Sequence, residues 1–168
     1  PYIKRIHGIS TQTASQRLMD TVNYVDIPKF MGRWYVQASI PTPFERHARA
    51  PVEHYALMAD GRIHTTFSYR DKQPDGPVKT SESIGFIQDP SNARWAMQII
   101  WPFRADYRIV YLDPDYQYTV IGRIKKDYLW IMSRNTDIPQ AELEKMMRLA
   151  SSLGYDQTQI KIHSQDFQ

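Results

Sequence analysis

The chain contains no cysteine, and it has no apolar run long enough to cross a membrane as a helix. Without cysteine there can be no disulfide, no thiolate metal site and no cysteine nucleophile. A helical membrane span needs about 18 consecutive apolar residues. Neither absence decides the compartment, because a cysteine-free chain folds equally well on either side of a membrane.

Charge of one sign is also scarce, with 21 Lys and Arg against 18 Asp and Glu and a net charge of +3. Nucleic-acid-binding domains carry a clustered basic patch, and this excess is too small to argue for one. The 168 residues are 42% hydrophobic and 23% charged, which is the composition of a folded chain of one domain.

Recognisable catalytic and metal motifs are missing as well. The sequence has no G-x-S-x-G and no phosphate-binding loop, and its five histidines are scattered. His54 and His64 are predicted on neighbouring strands, but two histidines without a third ligand make a poor zinc or haem site. We therefore expect no enzyme, no metal and no cofactor.

Aromatic residues are plentiful, with 11 Tyr, 6 Phe and 4 Trp, and they favour strands and ligand pockets. Turn signals such as Asp60-Gly61 and Pro74-Asp75-Gly76-Pro77 separate short β-type segments. Eight strands are predicted, over 33–40, 52–58, 62–69, 78–88, 94–101, 107–112, 116–122 and 127–134. Consecutive short connections favour an antiparallel up-and-down β-barrel.

The spacing of apolar residues changes from a strand period to a helix period after the eighth strand. Pro139 and Gly154 bracket a predicted helix over 139–153, laid against the outside of the barrel, and a last short strand follows at 160–162. Residues 1–24 are predicted to form an N-terminal arm, 25–163 the barrel with its helix, and 164–168 a tail. Because residue 1 is a proline, we expect the chain to be a processed or trimmed form.

Alternation along the strands predicts which side chains point into the barrel. The predicted inner-face residues that would contact a ligand are Val36, Ala38, Glu53, Tyr55, Leu57, Phe67, Trp95, Met97, Ile99, Tyr107 and Ile109. An eight-stranded barrel is wide enough to hold one small ligand or to be filled by its own side chains, and the pattern fits both outcomes. A shift of one residue in the second strand would move Glu53 to the outer face.

Three segments resemble the sequence motifs of the lipocalin family. Gly32-Arg33-Trp34-Tyr35 resembles the G-x-W motif, and Asp113-Pro114-Asp115-Tyr116 resembles T-D-Y with a proline in the middle. Tyr128-Leu129-Trp130-Ile131-Met132-Ser133-Arg134 resembles the third motif with its closing arginine. They occur in order, and the resemblance covers roughly 22–163. It implies an all-β, eight-stranded calyx with a C-terminal α-helix and a short ninth strand.

The chain is most similar to the bacterial outer-membrane lipocalins, which are related to apolipoprotein D, through Phe44-Glu45-Arg46, Pro102-Phe103 and Asp127-Tyr128-Leu129-Trp130-Ile131. That resemblance implies non-covalent binding, storage or transport of fatty acids, lysophospholipids or similar lipids, for envelope maintenance or the stress response. It implies a location in the periplasm or at the outer membrane. Most bacterial relatives carry a lipidated cysteine, so either a leader with that cysteine was removed or this member is a soluble periplasmic protein.

The motif residues are predicted to close one end of the barrel. Trp34 would plug the base, and Arg134 would stack on its indole. Gly32 allows a close backbone approach, and Asp113 and Asp115, followed by Tyr116, form a tight turn. The loops at the opposite end contain eight basic and five acidic residues. Arg46 and Arg104 are the predicted contacts of an anionic head group there, and ordinary solvated loops are the alternative.

A protein whose filled barrel serves a partner is the alternative function. Ile84 and Phe86 share a face of the fourth strand, where they could form a homodimer contact or lie beneath the helix. The expected partners are an amphipathic lipid, a membrane surface or a second copy of the chain, and no nucleic acid.

Overall fold

The computed structural model describes residues 21–166, so the predicted arm lies outside the described residues up to residue 20. A short helix α1 (Ile27–Phe30) precedes the first strand, and a second helix α2 (Gln140–Ser152) follows the eighth. The nine strands are β1 (Gly32–Ile40), β2 (Ala48–Leu57), β3 (Ile63–Asp71), β4 (Val78–Ile87), β5 (Arg94–Gln98), β6 (Ala105–Leu112), β7 (Tyr118–Gly122), β8 (Leu129–Ser133) and β9 (Lys161–Ile162).

The sheet is a closed antiparallel barrel. Each strand from β2 to β7 pairs with the next along the chain, β8 pairs with β1, and β1 pairs with β2 to complete the circle. The short ninth strand adds to the free stretch of β1. The eight-stranded barrel, the C-terminal helix and the ninth strand predicted from the sequence are therefore confirmed.

The base of the barrel is crossed by the chain that leads into β1. Val22 N donates to Ile109 O, and Val25 N donates to Ser91 O, so this segment is tied to the strands beneath it. The Asp26 carboxylate caps α1 by accepting from Lys29 N at 3.2 Å. The base of the barrel is covered by three buried side chains of this segment, Val25, Ile27 and Phe30.

Helix α2 covers the outer faces of β1, β7 and β8. Its apolar side chains, Leu143, Met146 and Ala150, are buried against Val120, Leu129, Ile131, Ala38 and Ile40. The solvent-facing side of α2 is charged, so the helix packs on the barrel through its apolar face. Ile84 and Phe86 belong to β4 and lie outside this helix-covered cluster. No helix within 21–166 is long and apolar enough to span a membrane.

A β-bulge in β1 corrects the predicted inner face. The pairing of β1 with β8 shifts register between Val36 and Ala38, because β1 has one extra residue there. These two side chains therefore lie on opposite faces of the sheet, although they are two residues apart. Val36 packs inside the barrel, whereas Ala38 packs outside, beneath α2. The prediction that Ala38 lines the barrel was therefore wrong. A second shift, between Ile109 and Tyr111 in β6, turns Tyr111 outward in the same way.

Two further predicted inner-face residues lie at the ends of their strands. Leu57 is the last residue of β2, at the base, where 47% of it is exposed. Ile99 follows β5 at the mouth and is 65% exposed. Both predictions of a buried ligand contact are corrected, because the strands end before these side chains reach the interior.

Candidate functional site

Trp34 and Arg134 seal the base of the barrel. The Arg134 guanidinium lies 3.8 Å from the centroid of the Trp34 ring, and the indole Nε1 donates to Phe30 O at 2.9 Å. Arg134 also donates to five backbone carbonyls, those of Lys29, Phe30, Met31, Arg33 and Tyr116. One side chain therefore binds α1, β1 and the β6–β7 turn together.

The β6–β7 turn is held by its first aspartate. Asp113 Oδ1 accepts from Gln117 N and Tyr118 N, both at 2.6 Å, and Asp113 Oδ2 accepts from Asp115 N. Tyr116 has φ +54°, and its hydroxyl accepts from Asp26 N at 2.8 Å. These contacts give the turn a structural role at the base.

Aromatic side chains fill the lower half of the barrel. Phe30, Tyr55, Trp95 and Tyr107 contact one another with ring centroids 5.4–5.8 Å apart, and Trp130 stands 5.7 Å from Tyr107. The hydroxyls of Tyr55 and Tyr107 are hydrogen-bonded to each other, and burial raises both of their pKa values. Ile109 and Met97 complete this packing. The lower half is thus a packed core.

Glu53 lies directly above that core. It pairs with Trp34 across β1 and with Phe67 across β3, so its side chain shares the inner face. The residue is 6% exposed, and Oε2 has no hydrogen-bond partner among the described residues. Burial raises the pKa of Glu53 well above its usual value, and the Glu45 carboxyl raises it further. The structure places Glu53 inside, as the unshifted strand count has it.

Glu45 turns from the mouth toward the barrel interior. It ends a 3-10 turn (Pro43–Glu45), and its Oε2 accepts from Thr42 N at 3.2 Å. Burial raises the pKa of Glu45 despite this hydrogen bond. The Trp130 indole lies beside Glu45 and lowers the pKa of that carboxyl by less than burial raises it. The sequence places Glu45 in a loop and in a segment that carries the family resemblance, and it does not predict that Glu45 turns inward, although Thr42-x-x-Glu45 has the pattern of a capping box.

The segment after β9 closes a gap in the upper wall. There β1 and β2 separate, and Gln165 Nε2 donates to Val36 O at 2.8 Å and to Pro51 O at 3.1 Å. His163 Nε2 is 2.7 Å from Ser39 Oγ, and burial lowers the pKa of His163 to about 4. Sequence reasoning assigned neither residue to the site, because both follow the last predicted strand.

Between these groups lies a small, partly open pocket of about 10 Å³. Its walls are formed by Val36, Ser39, Glu45, Ala48, Pro51, Phe67, Trp130 and His163. This volume is on the order of one water molecule. Higher up, Phe67, Tyr69 and Tyr128 remain only half-buried, so the inner wall stays accessible from the mouth. The accessible upper half, bounded below by Glu53, is called the cup from here on.

The rim of the cup carries exposed apolar side chains. Phe44 is 90% exposed, Trp101 79% and Phe103 77%, and Ile99, Ile100 and Ile124 are exposed as well. The basic residues of the same loops include Lys125 and Lys126, both exposed. The rim therefore combines apolar tips with positive charge.

The two predicted head-group arginines lie in different surroundings. Arg46 is exposed at the rim, where its carbonyl oxygen accepts from Lys161 Nζ at 3.4 Å. Arg104 lies 3.7 Å above the ring of Phe86, and Phe86 alternates along β4 with the inward-facing Gly85. Arg104 therefore packs on the outer surface, which corrects its predicted role at the mouth.

Comparison with known proteins identifies relatives of similar architecture. Residues 25–165 match the family model of the lipocalin-like domain. The chain is 29% identical to temperature-induced lipocalin-1 of Arabidopsis thaliana over 82% of this chain and 78% of that protein. It is 28% identical to the outer membrane lipoprotein Blc of Escherichia coli K12, over 83% and 79% of the two chains. It is 26% identical to apolipoprotein D of Macaca fascicularis, over 84% and 77%.

Solved structures share the fold at lower sequence identity. Lobster apocrustacyanin A1 superposes with a TM-score of 0.65 at 15% identity, over 83% of this chain and 79% of that one. The cockroach allergen Per a 4 superposes with a TM-score of 0.64 at 18% identity, over 89% and 94%. These likenesses concern the barrel and its helix.

Proposed function

Because this chain belongs to the lipocalin family, whose members bind small hydrophobic ligands, we propose that its cup binds an amphipathic lipid non-covalently. Fatty acids and lysophospholipids are the proposed ligand classes. The observation that carries the proposal is the difference between the two ends of the barrel. Trp34 and Arg134 seal the base, whereas half-buried Phe67, Tyr69 and Tyr128 leave an apolar inner wall accessible from the mouth.

Burial of apolar surface would supply the affinity, without bond making or breaking. Each Å² of apolar ligand surface contributes about 25 cal/mol before the costs of association. An alkyl chain needs far more room than this pocket of about 10 Å³. Binding therefore requires Phe67 and Trp130, which line that pocket, to change rotamer. The free energy of this rearrangement would reduce the observed affinity.

We propose that the rim contacts a lipid surface. Trp101, Phe103 and Phe44 are exposed at the end through which a lipid would enter. Aromatic side chains favour the membrane interface, and neighbouring lysines would be attracted to anionic head groups. The names of the bacterial relatives include an outer membrane lipoprotein, which supports the proposal of an envelope location.

One observation favours the alternative of a partner-binding protein. The lower barrel is filled, and the pocket above it is the size of a single water molecule. In that case the outer face bearing Ile84 and Phe86 would be the contact surface of a homodimer. Binding measurements separate the two proposals directly.

Titration of the purified protein with a lysophospholipid tests the cup, using the same substitution on its two faces. Phe67→Asp places a carboxylate on the inner wall, and we expect it to weaken binding by about tenfold or more. Phe86→Asp makes the same change on the outer face and should leave Kd unchanged. Absence of uptake by the unaltered protein, or equal losses in the two variants, would contradict lipid binding in the cup.

A further inference from the structure

The floor of the cup is polar, although the wall above it is apolar. Glu53 lies on the inner face opposite Phe67, and Thr65 pairs with Tyr55 one inner-facing position below it. Two buried polar atoms on this inner face lack hydrogen-bond partners within residues 21–166, namely Glu53 Oε2 and Thr65 Oγ1. Buried polar atoms normally have partners, because an unmet one retains its desolvation cost.

Burial and the Glu45 carboxyl both raise the pKa of Glu53, and no positive charge among the described residues offsets them. Glu45 faces Glu53 from the 3-10 turn, and the Tyr55 and Tyr107 hydroxyls lie below it. His163 lines the same pocket, but with a pKa of about 4 it is neutral at physiological pH. Arg134 is at the base, where its donors are occupied by backbone carbonyls.

We propose that this floor binds the protonated amine end of an amphipathic ligand, with the Glu53 and Glu45 carboxylates as its partners. The inference rests on the proposed function of the cup and specifies its ligand class. A cationic N–H group would donate a hydrogen bond to Glu53 Oε2. Its positive charge would also pair with the negative charges of the ionised Glu53 and Glu45 carboxylates. An anionic carboxylate at the floor would instead be repelled by both.

The basic rim does not reverse this preference. Its lysines are exposed, and water and salt screen such charges beyond about 8–10 Å. Glu53 is buried, where screening is weak. The rim charge thus favours an anionic surface outside the cup, whereas the floor selects the group that enters it.

Ligands with the same alkyl chain and different ends test the inference. Dodecylamine, dodecanol and dodecanoic acid are titrated into the protein below their aggregation concentrations by isothermal titration calorimetry. We expect the amine to bind about 10- to 100-fold more tightly than the acid, with the alcohol between them. Glu53→Gln should abolish most of this ratio by weakening the amine and strengthening the acid.

The matched control is Glu82→Gln, which removes an exposed carboxylate from β4, and it should leave the ratio unchanged. Glu45→Gln is the second variant, and we expect it to reduce the ratio by a smaller factor than Glu53→Gln. Thermal unfolding of each variant verifies that it is folded.

The pH dependence gives an independent readout. Burial raises the pKa of Glu53, and a carboxylate pairs with a cation only when it is ionised, so amine affinity should rise as the pH rises through that raised pKa, with a proton released to the buffer on binding. Glu53→Gln should reduce both effects. Equal or tighter binding of the acid, or a ratio that Glu53→Gln leaves unchanged, overturns the amine inference while lipid binding stands. Failure of all three ligands and of a lysophospholipid to bind overturns the proposed function as well.

Discussion

Arg134 is the residue on which closure of the base depends most. Its guanidinium stacks on Trp34 and donates to carbonyls of α1, β1 and the β6–β7 turn. A planar fork with five N–H groups suits this arrangement, whereas the ammonium of lysine cannot reach several carbonyls and the indole together.

Arg134→Lys should therefore destabilise the fold although it keeps the charge. We expect the free energy of unfolding to fall by about 2–4 kcal/mol, measured by urea denaturation. Arg33→Lys is the control, because Arg33 is exposed on the neighbouring strand. Equal stability of the two variants would show that Arg134 does not hold the base.

For single residues, the sequence predicted the face of the sheet on which a side chain lies better than it predicted the groups around that side chain. Alternation placed Glu53, Tyr55 and Trp95 on the inner face, where the structure has them. It did not reveal that Glu45 turns inward beside Glu53, because that depends on the 3-10 turn at the rim. It also did not reveal that Arg104 packs on Phe86, since a long side chain in a loop can reach several surfaces.

The element with the largest unforeseen role is the C-terminal segment after β9. It fills the gap between β1 and β2 through Gln165, and it buries His163 against Ser39. The ordinary pKa of histidine is near 6.5, and burial lowers that of His163 to about 4. The unfolded chain thus binds a proton between these values that the folded chain does not, so stability is lost as the pH falls from about 6.5 toward 4.

His163→Gln should make unfolding less sensitive to acid. Glutamine can still hydrogen-bond to Ser39 but does not titrate, so the variant should avoid a loss of about 2 kcal/mol between about pH 7 and pH 5. Urea denaturation at the two pH values measures the difference. Replacing the exposed His54 by glutamine provides the control. Parallel pH profiles for the protein and its His163 variant would contradict this account.

Bulges explain where the period-two analysis of the strands failed. One extra residue in β1 reversed the side on which Ala38 lies, and a shift in β6 did the same to Tyr111. Gln37, at the bulge in β1, donates to the carbonyls of Asn135 and Thr136 after β8. Such tertiary hydrogen bonds stabilise a bulge without leaving a local sequence signal.

For the whole molecule, the two ends of the barrel differ in chemistry. The base is sealed by side chain to backbone hydrogen bonds, whereas the mouth exposes Trp101 and Phe103 beside basic loops. The order of strands, the helix and the ninth strand followed from turn signals and periodicity. The extent to which side chains fill the interior did not follow from these patterns. Alternation determines which face a side chain lies on but not how completely the side chains of opposite walls meet.

The asymmetry predicts binding to membranes by the mouth. Substituting serine for both Trp101 and Phe103 should weaken cosedimentation with anionic phospholipid vesicles by about tenfold. Leu57→Ser removes an exposed apolar side chain from the base and should have no effect. Added salt should weaken the binding of the unaltered protein. A stronger effect of the Leu57 change would indicate that the opposite end contacts the membrane.

Mass spectrometry of an organic extract from the purified, folded protein shows whether the cup is a lipid-binding site. We expect an amphipathic lipid in near-stoichiometric amount, lost from the Phe67→Asp variant and retained by Phe86→Asp. An extract without lipid, followed by no uptake of added amine, alcohol, fatty acid or lysophospholipid, would contradict lipid binding in the cup and leave the filled barrel as a partner-binding protein.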